Sequence, residues 1–268
     1  MKKTYLLGIL TAFIVSCSSD DNGNGNGNNN PSGSSIPIAQ GNYWVYDVQS
    51  STMLNGRDSL YVSGDTVINN TTYSKLKTKE ALAYGFFSNA LNNNGVRHAD
   101  GKTYLSGTAG LAITEQLPFD IAVSDFIIFD ENAQDNQQLA TVSGTIDQEI
   151  EGYDIEINYT LSSKSKAAIS NFTSGEEQYE SVKPVEITLN MNIDITFQVP
   201  GIPIPLTFPL MAEQNVLVST QYYAQGIGVV KSVTDINYNL AELPDIELPI
   251  PQSGSQHQEE VLVDYNLQ

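Results

Sequence analysis

From Tyr43 onward, apolar and polar residues trade places every second position, and a period of 3.6 is almost absent. Residues 43–48 (YWVYDV) are rich in aromatic and branched side chains and predict an opening strand. Residues 59–67 and 73–78 flank Asn69-Asn70, which suits the left-handed backbone of a tight hairpin turn. Asp100-Gly101 within residues 96–105 carries the same signal, and residues 141–150 and 153–162 alternate around Glu151-Gly152. In the second of these arms Ile155, Ile157, Tyr159 and Leu161 share one face, while Asp154, Glu156, Asn158 and Thr160 share the other. That is a sheet with one wet face. Residues 185–199 continue the alternation from Val185 to Phe197, long enough for a strand that curves around a core or closes toward a barrel. Residues 216–223, 228–238 and 260–267 complete the set. The expected fold is all-β: one large, strongly curved antiparallel sheet or partial barrel with few or no helices. Only residues 109–116 and 163–170 have room for a helical turn or two.

Two stretches break the pattern. Residues 199–211 (VPGIPIPLTFPLM) and 243–251 (LPDIELPIP) are apolar but studded with proline, which cannot donate to a ladder. They predict edge strands or extended loops. Their apolar side chains must be covered, either by packing over an open end of the sheet or by rimming a cavity for a greasy ligand. The candidate rim is Ile202, Ile204, Leu206, Phe208 and Leu210. Gly226 and Gly228 bracket Ile227 and predict a bulge or corner; a phosphate loop would need a following helix and a Gly-Lys-Ser/Thr ending. Trp44, the sole tryptophan, reads as a core residue rather than a sugar platform.

The N-terminus lies outside this texture. Lys2 and Lys3 precede a short apolar run (YLLGILTAFIV) that is too short to span a bilayer of roughly 30 Å hydrocarbon. The run ends Ile14-Val15-Ser16-Cys17, which resembles the lipobox of bacterial lipoproteins, and Cys17 is the only cysteine. The resemblance implies cleavage of residues 1–16 and lipidation, such as palmitate, on Cys17. Residues 18–35 (SSDDNGNGNGNNNPSGSS) hold no apolar side chain to offset ordering, and predict a disordered tether. Its r.m.s. span would be roughly 20–25 Å. Asp20-Asp21 is similar to the acidic signal that sends Bacteroidetes lipoproteins to the outer leaflet of the outer membrane. Residues 36–268 then form a single β domain, and the membrane is reached through Cys17. Loss of Lys2 and Lys3 with the leader takes the formal charge from −19 to −21, a surface that disfavours nucleic acid.

Candidate chemistry is sparse. Serine catalysis needs a base, and the only histidines are His98 and His257, both expected in exposed loops; no G-x-S-x-G elbow occurs. Two distant histidines and one acylated cysteine do not make a zinc site, and no cofactor is implied. Asp130-Glu131-Asn132 with Asp135-Asn136 could gather oxygen ligands for Ca²⁺ but lack the alternation of an EF-hand loop, so a solvated acidic loop is expected. A glycosidase would need two carboxylates and aromatic subsites. No enzyme is expected. Asp58-Ser59-Leu60 and Asp65-Thr66-Val67 are similar to the acceptor triplet for O-glycosylation of exported Bacteroidetes proteins, which makes Ser59 and Thr66 candidate sites.

Three segments carry a wider resemblance: residues 41–46 (GNYWVY), 169–188 (ISNFTSGEEQYESVKPVEIT) and 222–231 (YYAQGIGVVK). They are similar to uncharacterised Bacteroidetes outer-membrane and surface lipoproteins with G-x-x-W-x-Y and Y-Y-A-x-G-I-G-x-V-K motifs, the TapB-like lipoproteins among them. The resemblance implies a curved sheet or partial barrel related in shape to periplasmic lipoprotein carriers. The expectation is a lipid-anchored, non-catalytic binding or interaction module of the cell envelope. The alternatives are a carrier of a lipid or other apolar small molecule, which needs a cavity of several hundred Å³, and a glycan-binding component of a surface uptake system, which needs exposed, co-planar tyrosines. An envelope protein or glycan is the other partner class.

Overall fold

The computed structural model describes residues 36–112, 117–198, 201, 203–243 and 248–268. The expected leader and tether, with Cys17, and Ile202 of the candidate rim lie outside them. Among the described residues thirteen strands and one helix follow in chain order. The first group is β1 (Tyr43–Ser50), β2 (Gly56–Ile68), β3 (Thr71–Thr78), α1 (Phe86–Leu91), β4 (Gly95–Ala99), β5 (Lys102–Ala112) and β6 (Pro118–Asp130). The second is β7 (Gln138–Ile150), β8 (Tyr153–Ser165), β9 (Ile169–Ser174), β10 (Glu177–Phe197), β11 (Leu206–Ala224), β12 (Gly228–Asn239) and β13 (Ser253–Asn266).

All strands join one antiparallel sheet in the order β6-β5-β4-β3-β2-β1-β13-β12-β11-β10-β8-β7, with β9 on β10. The sheet curls into a nearly closed barrel. Its two meanders are joined where β1 pairs with β13, so the barrel's beginning and end seal each other. No ladder joins β6 to β7, and this leaves a seam between strands that are consecutive in the chain.

Turn chemistry explains the meander. Asn69 and Asn70, Asp100 and Gly101, and Glu151 and Gly152 all adopt positive φ, the backbone whose twist matches that of the flanking strands. The long β10 exchanges partners on one edge. It pairs with β9 up to Val182 and with β8 from Val185, and Pro184 stands in the gap where no donor is required.

The proline-rich residues 199–211 take up in part the edge-strand form expected of them. From Leu206 they belong to β11, and Pro209 pairs opposite Asp194 of β10. β12 joins β11 only from Leu217, so the proline-bearing half is an edge by local partner count. Among the described residues the expected helical turns are absent: residues 109–112 continue β5, residues 163–165 continue β8, and residues 169–170 open β9, while residues 113–116 lie outside the described residues. Alternation with cross-strand pairing overrides their modest helical propensity.

The register sorts the connections onto two ends. Ile36, the turns at 69–70, 100–101 and 225–227, the loop 131–137 and the C-terminus lie at one end, here the near end. The β1–β2 turn at 51–55, the α1 segment and both proline-rich stretches lie at the far end. The interior holds two apolar clusters. One gathers Ile36, Trp44, Tyr46, Phe87, Phe126 and Val229; the other gathers Ile121, Ile155, Leu189, Ile193, Met211 and Ile250. Leu240 packs against the second, as do Leu243 and Leu248 of the second proline-rich stretch, so the described part of that stretch covers an end of the sheet.

Candidate functional site

A cavity of about 90 Å³ lies where the two clusters meet. Phe86, Phe87, Ala90 and Leu91 of α1 form one wall, and residues of β5, β6, β8, β10 and β11 form the rest. Val123, Phe126 and Ile128 of β6 and Leu161 of β8 contribute from the two sides of the seam. Across that seam Ser163 Oγ donates to Ile127 O at 2.6 Å. The lining is apolar apart from Ser219 and Gln221 on β11. Ser219 Oγ lies 2.8 Å from Thr234 Oγ1. Gln221 Oε1 accepts the Tyr223 hydroxyl at 2.6 Å.

The α1 wall is held by the barrel itself. Five consecutive backbone amides are taken up by three side chains. Tyr84 N and Gly85 N donate to Asp58 at 2.9 and 2.7 Å, Phe86 N to Gln258 Oε1 at 2.7 Å, and Phe87 N and Ser88 N to Glu260 at 2.6 and 3.1 Å. Ser88 Oγ adds a further bond to Glu260 at 2.7 Å. These are the orphan donors of a helix start, met by strands β2 and β13 because α1 carries no cap of its own. Gly85 is required by the approach, since a Cβ there would strike the Glu260 carboxyl. Asp58 and Glu260 are both buried, and no basic side chain pairs with either among the described residues. Burial pushes the Glu260 carboxyl up to about 7, against the pull of the donors from Ser88 and Phe87. Tyr46, edge-on to Phe87 at 5.6 Å, is pushed well above its ordinary value by burial, with Glu260 adding to the rise.

The two motif segments meet physically. Trp44 is 1% exposed, and its Nε1 donates to Ile227 O at 2.6 Å; Tyr46 Oη donates to Val229 O at 2.8 Å. Gly226 and Gly228 have φ of 72° and 112°, which turns the Ile227 carbonyl inward at the corner between β11 and β12. Trp44 is a core residue and not a platform.

The other sequence candidates separate. Of the rim residues, Ile204 is 63% exposed, Leu206 and Phe208 are half-buried, and Leu210 is buried. Phe208 stacks on Phe197 at 4.9 Å. None of these four lines the apolar cavity. Leu210 instead lines a polar-mixed far-end cleft of about 470 Å³ with Leu240, Leu243, Leu248 and Ile250. Ser59 lies mid-strand on β2 beside the buried Asp58, whose carboxylate is committed to α1's segment, whereas Thr66 lies between exposed Asp65 and Val67 near a hairpin tip. His98 is not a loop residue: on β4 its Nε2 lies 2.6 Å from Ile36 O and its Nδ1 3.1 Å from Thr103 Oγ1, and burial lowers its pKa. His257 is exposed but sits on β13, where Asp235 at 2.7 Å raises its pKa.

Around the acidic loop Asp130 Oδ1 accepts Asn132 N at 2.9 Å, and Lys183 Nζ donates to the carbonyls of Glu131 and Ala133 at 3.1 and 2.7 Å. No metal-ligating cluster occurs among the described residues. Tyr84 and Tyr265 are the tyrosines among the exposed large apolar residues, and they stand at opposite ends of the barrel. Neither Glu260 nor Gln221 carried a sequence signal, because each shares its strand face with other polar residues, Gln256 and Gln258 beside Glu260 and Ser219 beside Gln221.

No protein-family model matches the chain, and neither a curated protein nor a solved structure does.

Proposed function

We propose that the chain is a cell-envelope lipoprotein, anchored through lipid on Cys17 to the outer membrane and displayed at the surface, whose barrel is a non-catalytic binding module. The supporting observation is the polarity of the barrel. The chain enters at the near end, where Ile36 is 3% exposed in the core, and the irregular, chemically varied segments gather at the opposite end. Of the eight exposed large apolar side chains among the described residues, Met53, Leu54, Leu82, Tyr84 and Ile204 lie on those far-end segments, and Val67, Val263 and Tyr265 lie toward the near end. An anchor at one end and an apolar-studded rim at the other suits capture at a distance from a membrane. The likeness of the 41–46 and 222–231 segments to Bacteroidetes lipoproteins fits this address.

The test is metabolic labelling with an alkyne-tagged palmitate in a Bacteroidetes host. The wild-type chain is expected to take up label and to be shaved by protease from intact cells, whereas Cys17→Ser takes up none. Label persisting on Cys17→Ser, or absent from the wild type, would overturn the anchor. In the same host Thr66 is the accessible glycan acceptor, and an intact mass without added hexose would remove that modification.

A further inference from the structure

We propose that the cavity between α1 and strands β5, β6, β8, β10 and β11 is a binding site for a small, neutral, apolar molecule bearing one hydrogen-bond acceptor oxygen. The inference rests on the binding-module reading and names its ligand class. Shape and lining come first. The space is about 90 Å³ and is walled mostly by phenylalanine, leucine, isoleucine and valine side chains, a lining that suits an apolar guest. An engineered apolar cavity of about 150 Å³ holds benzene. Here the guest is of similar or smaller size, admitted with some yielding of the six-residue α1.

The second observation is Gln221, which is 8% exposed and lines this cavity. Its Oε1 accepts the Tyr223 hydroxyl, which fixes the orientation of the amide. Its Nε2 makes no hydrogen bond among the described residues and is not fully shut off from solvent. An acceptor oxygen on the guest would give this free donor a partner at the cavity wall. The other polar liner, Ser219, is already bonded to Thr234. No charged side chain lines the space, so a carboxylate or ammonium would enter unpaired and is rejected. The seam between β6 and β7 offers a way in that breaks no ladder hydrogen bond.

The experiment uses the full chain carrying Cys17→Ser, so that no lipid competes, with methyl-labelled isoleucine and leucine followed by NMR. The probes are 2-pentanone, n-pentane and pentanoate. Saturable shifts centred on Ile121 and Leu189 are expected with 2-pentanone, about tenfold tighter than with n-pentane, and none with pentanoate at pH 8. Gln221→Leu should bring the ketone down to the alkane's affinity, and Gln221→Met serves if that variant fails to fold. Ala90→Leu should fill the space and abolish both while leaving the melting temperature unchanged or higher. No saturable shift for any probe would mark a packing void and overturn the proposal. So would equal affinity for ketone and alkane, or a ketone preference that survives loss of Gln221. Failure here with Cys17 still palmitoylated in the host would leave the anchored module and remove only its ligand.

Discussion

Glu260 shows how a single side chain can both order an element and carry a cost. It faces Asp58, Gln258, Ser88 and the ring of Tyr46, and none of these supplies a positive charge. Its folded pKa of about 7 lies above that of a free carboxyl, so the fold favours the protonated form. The sign follows: its contribution to stability is complete below about pH 4.5 and is lost as pH rises to about 7, a difference of about 3 kcal/mol. Glu260→Gln keeps an acceptor for Phe87 N but turns an NH₂ toward the Ser88 donors. Denaturant unfolding should find this variant about 1–2 kcal/mol weaker than wild type at pH 5, with the gap closing or reversing above pH 8. His257 titrates in both proteins and cancels in the difference. A pH-independent gap would refute the assignment. Trp44 gives a second reading at this scale. As the sole tryptophan it should emit in the blue and resist iodide quenching, and Trp44→Phe should cost about 1–3 kcal/mol because Ile227 O loses its buried donor.

Among the elements, the hairpins were plain in the sequence because Asn-Asn, Asp-Gly and Glu-Gly pairs supply left-handed backbone wherever two alternating runs must meet. β8 and β10 were legible because one of their faces is wet. β6 was not, since its PFDIAVSDFIIFD is interrupted at Asp125, which adopts φ of 49° within the strand and pairs with Arg97 and Tyr73. α1 was invisible for a related reason. Six residues without a cap or basic last turn have no helical signature, and the helix exists because Asp58, Gln258 and Glu260, distant in sequence, meet its amides. The candidate site shares that origin: its Gln221 acquires meaning only once β11 faces β6 and β8 across a cavity. The seam is itself testable. The outward-edge amides of β6 and β7 should exchange hydrogen about a hundredfold or more faster than those of β10, which is paired on both sides for most of its length. Uniform protection across β6, β7 and β10 would mean that the barrel closes by a ladder after all.

For the whole molecule, closure of β1 on β13 fixes where the chain begins. Because the N-terminal strand is sealed by the C-terminal one, Ile36, Asn42 and Gln268 come together at the near end, where Gln268 N donates to Asn42 Oδ1 at 2.9 Å. A tether of about 18 residues leaving this end would hold the near end within a few tens of ångströms of a bilayer. The far-end segments would then stand farther out by the length of the barrel. With Cys17 acylated the chain has no other thiol, so a single introduced cysteine reports its own position. A dye on Asn70→Cys at a near-end hairpin should be quenched by headgroup-labelled lipid severalfold more than one on Leu54→Cys at the far end. Leu54 is 84% exposed, so labelling there disturbs no packing. Equal quenching would mean that the tether lets the barrel lie down on the membrane. In that case the exposed Met53, Leu54 and Leu82 would be contacts with the bilayer, and the module would take its ligand from the lipid surface, not from the medium.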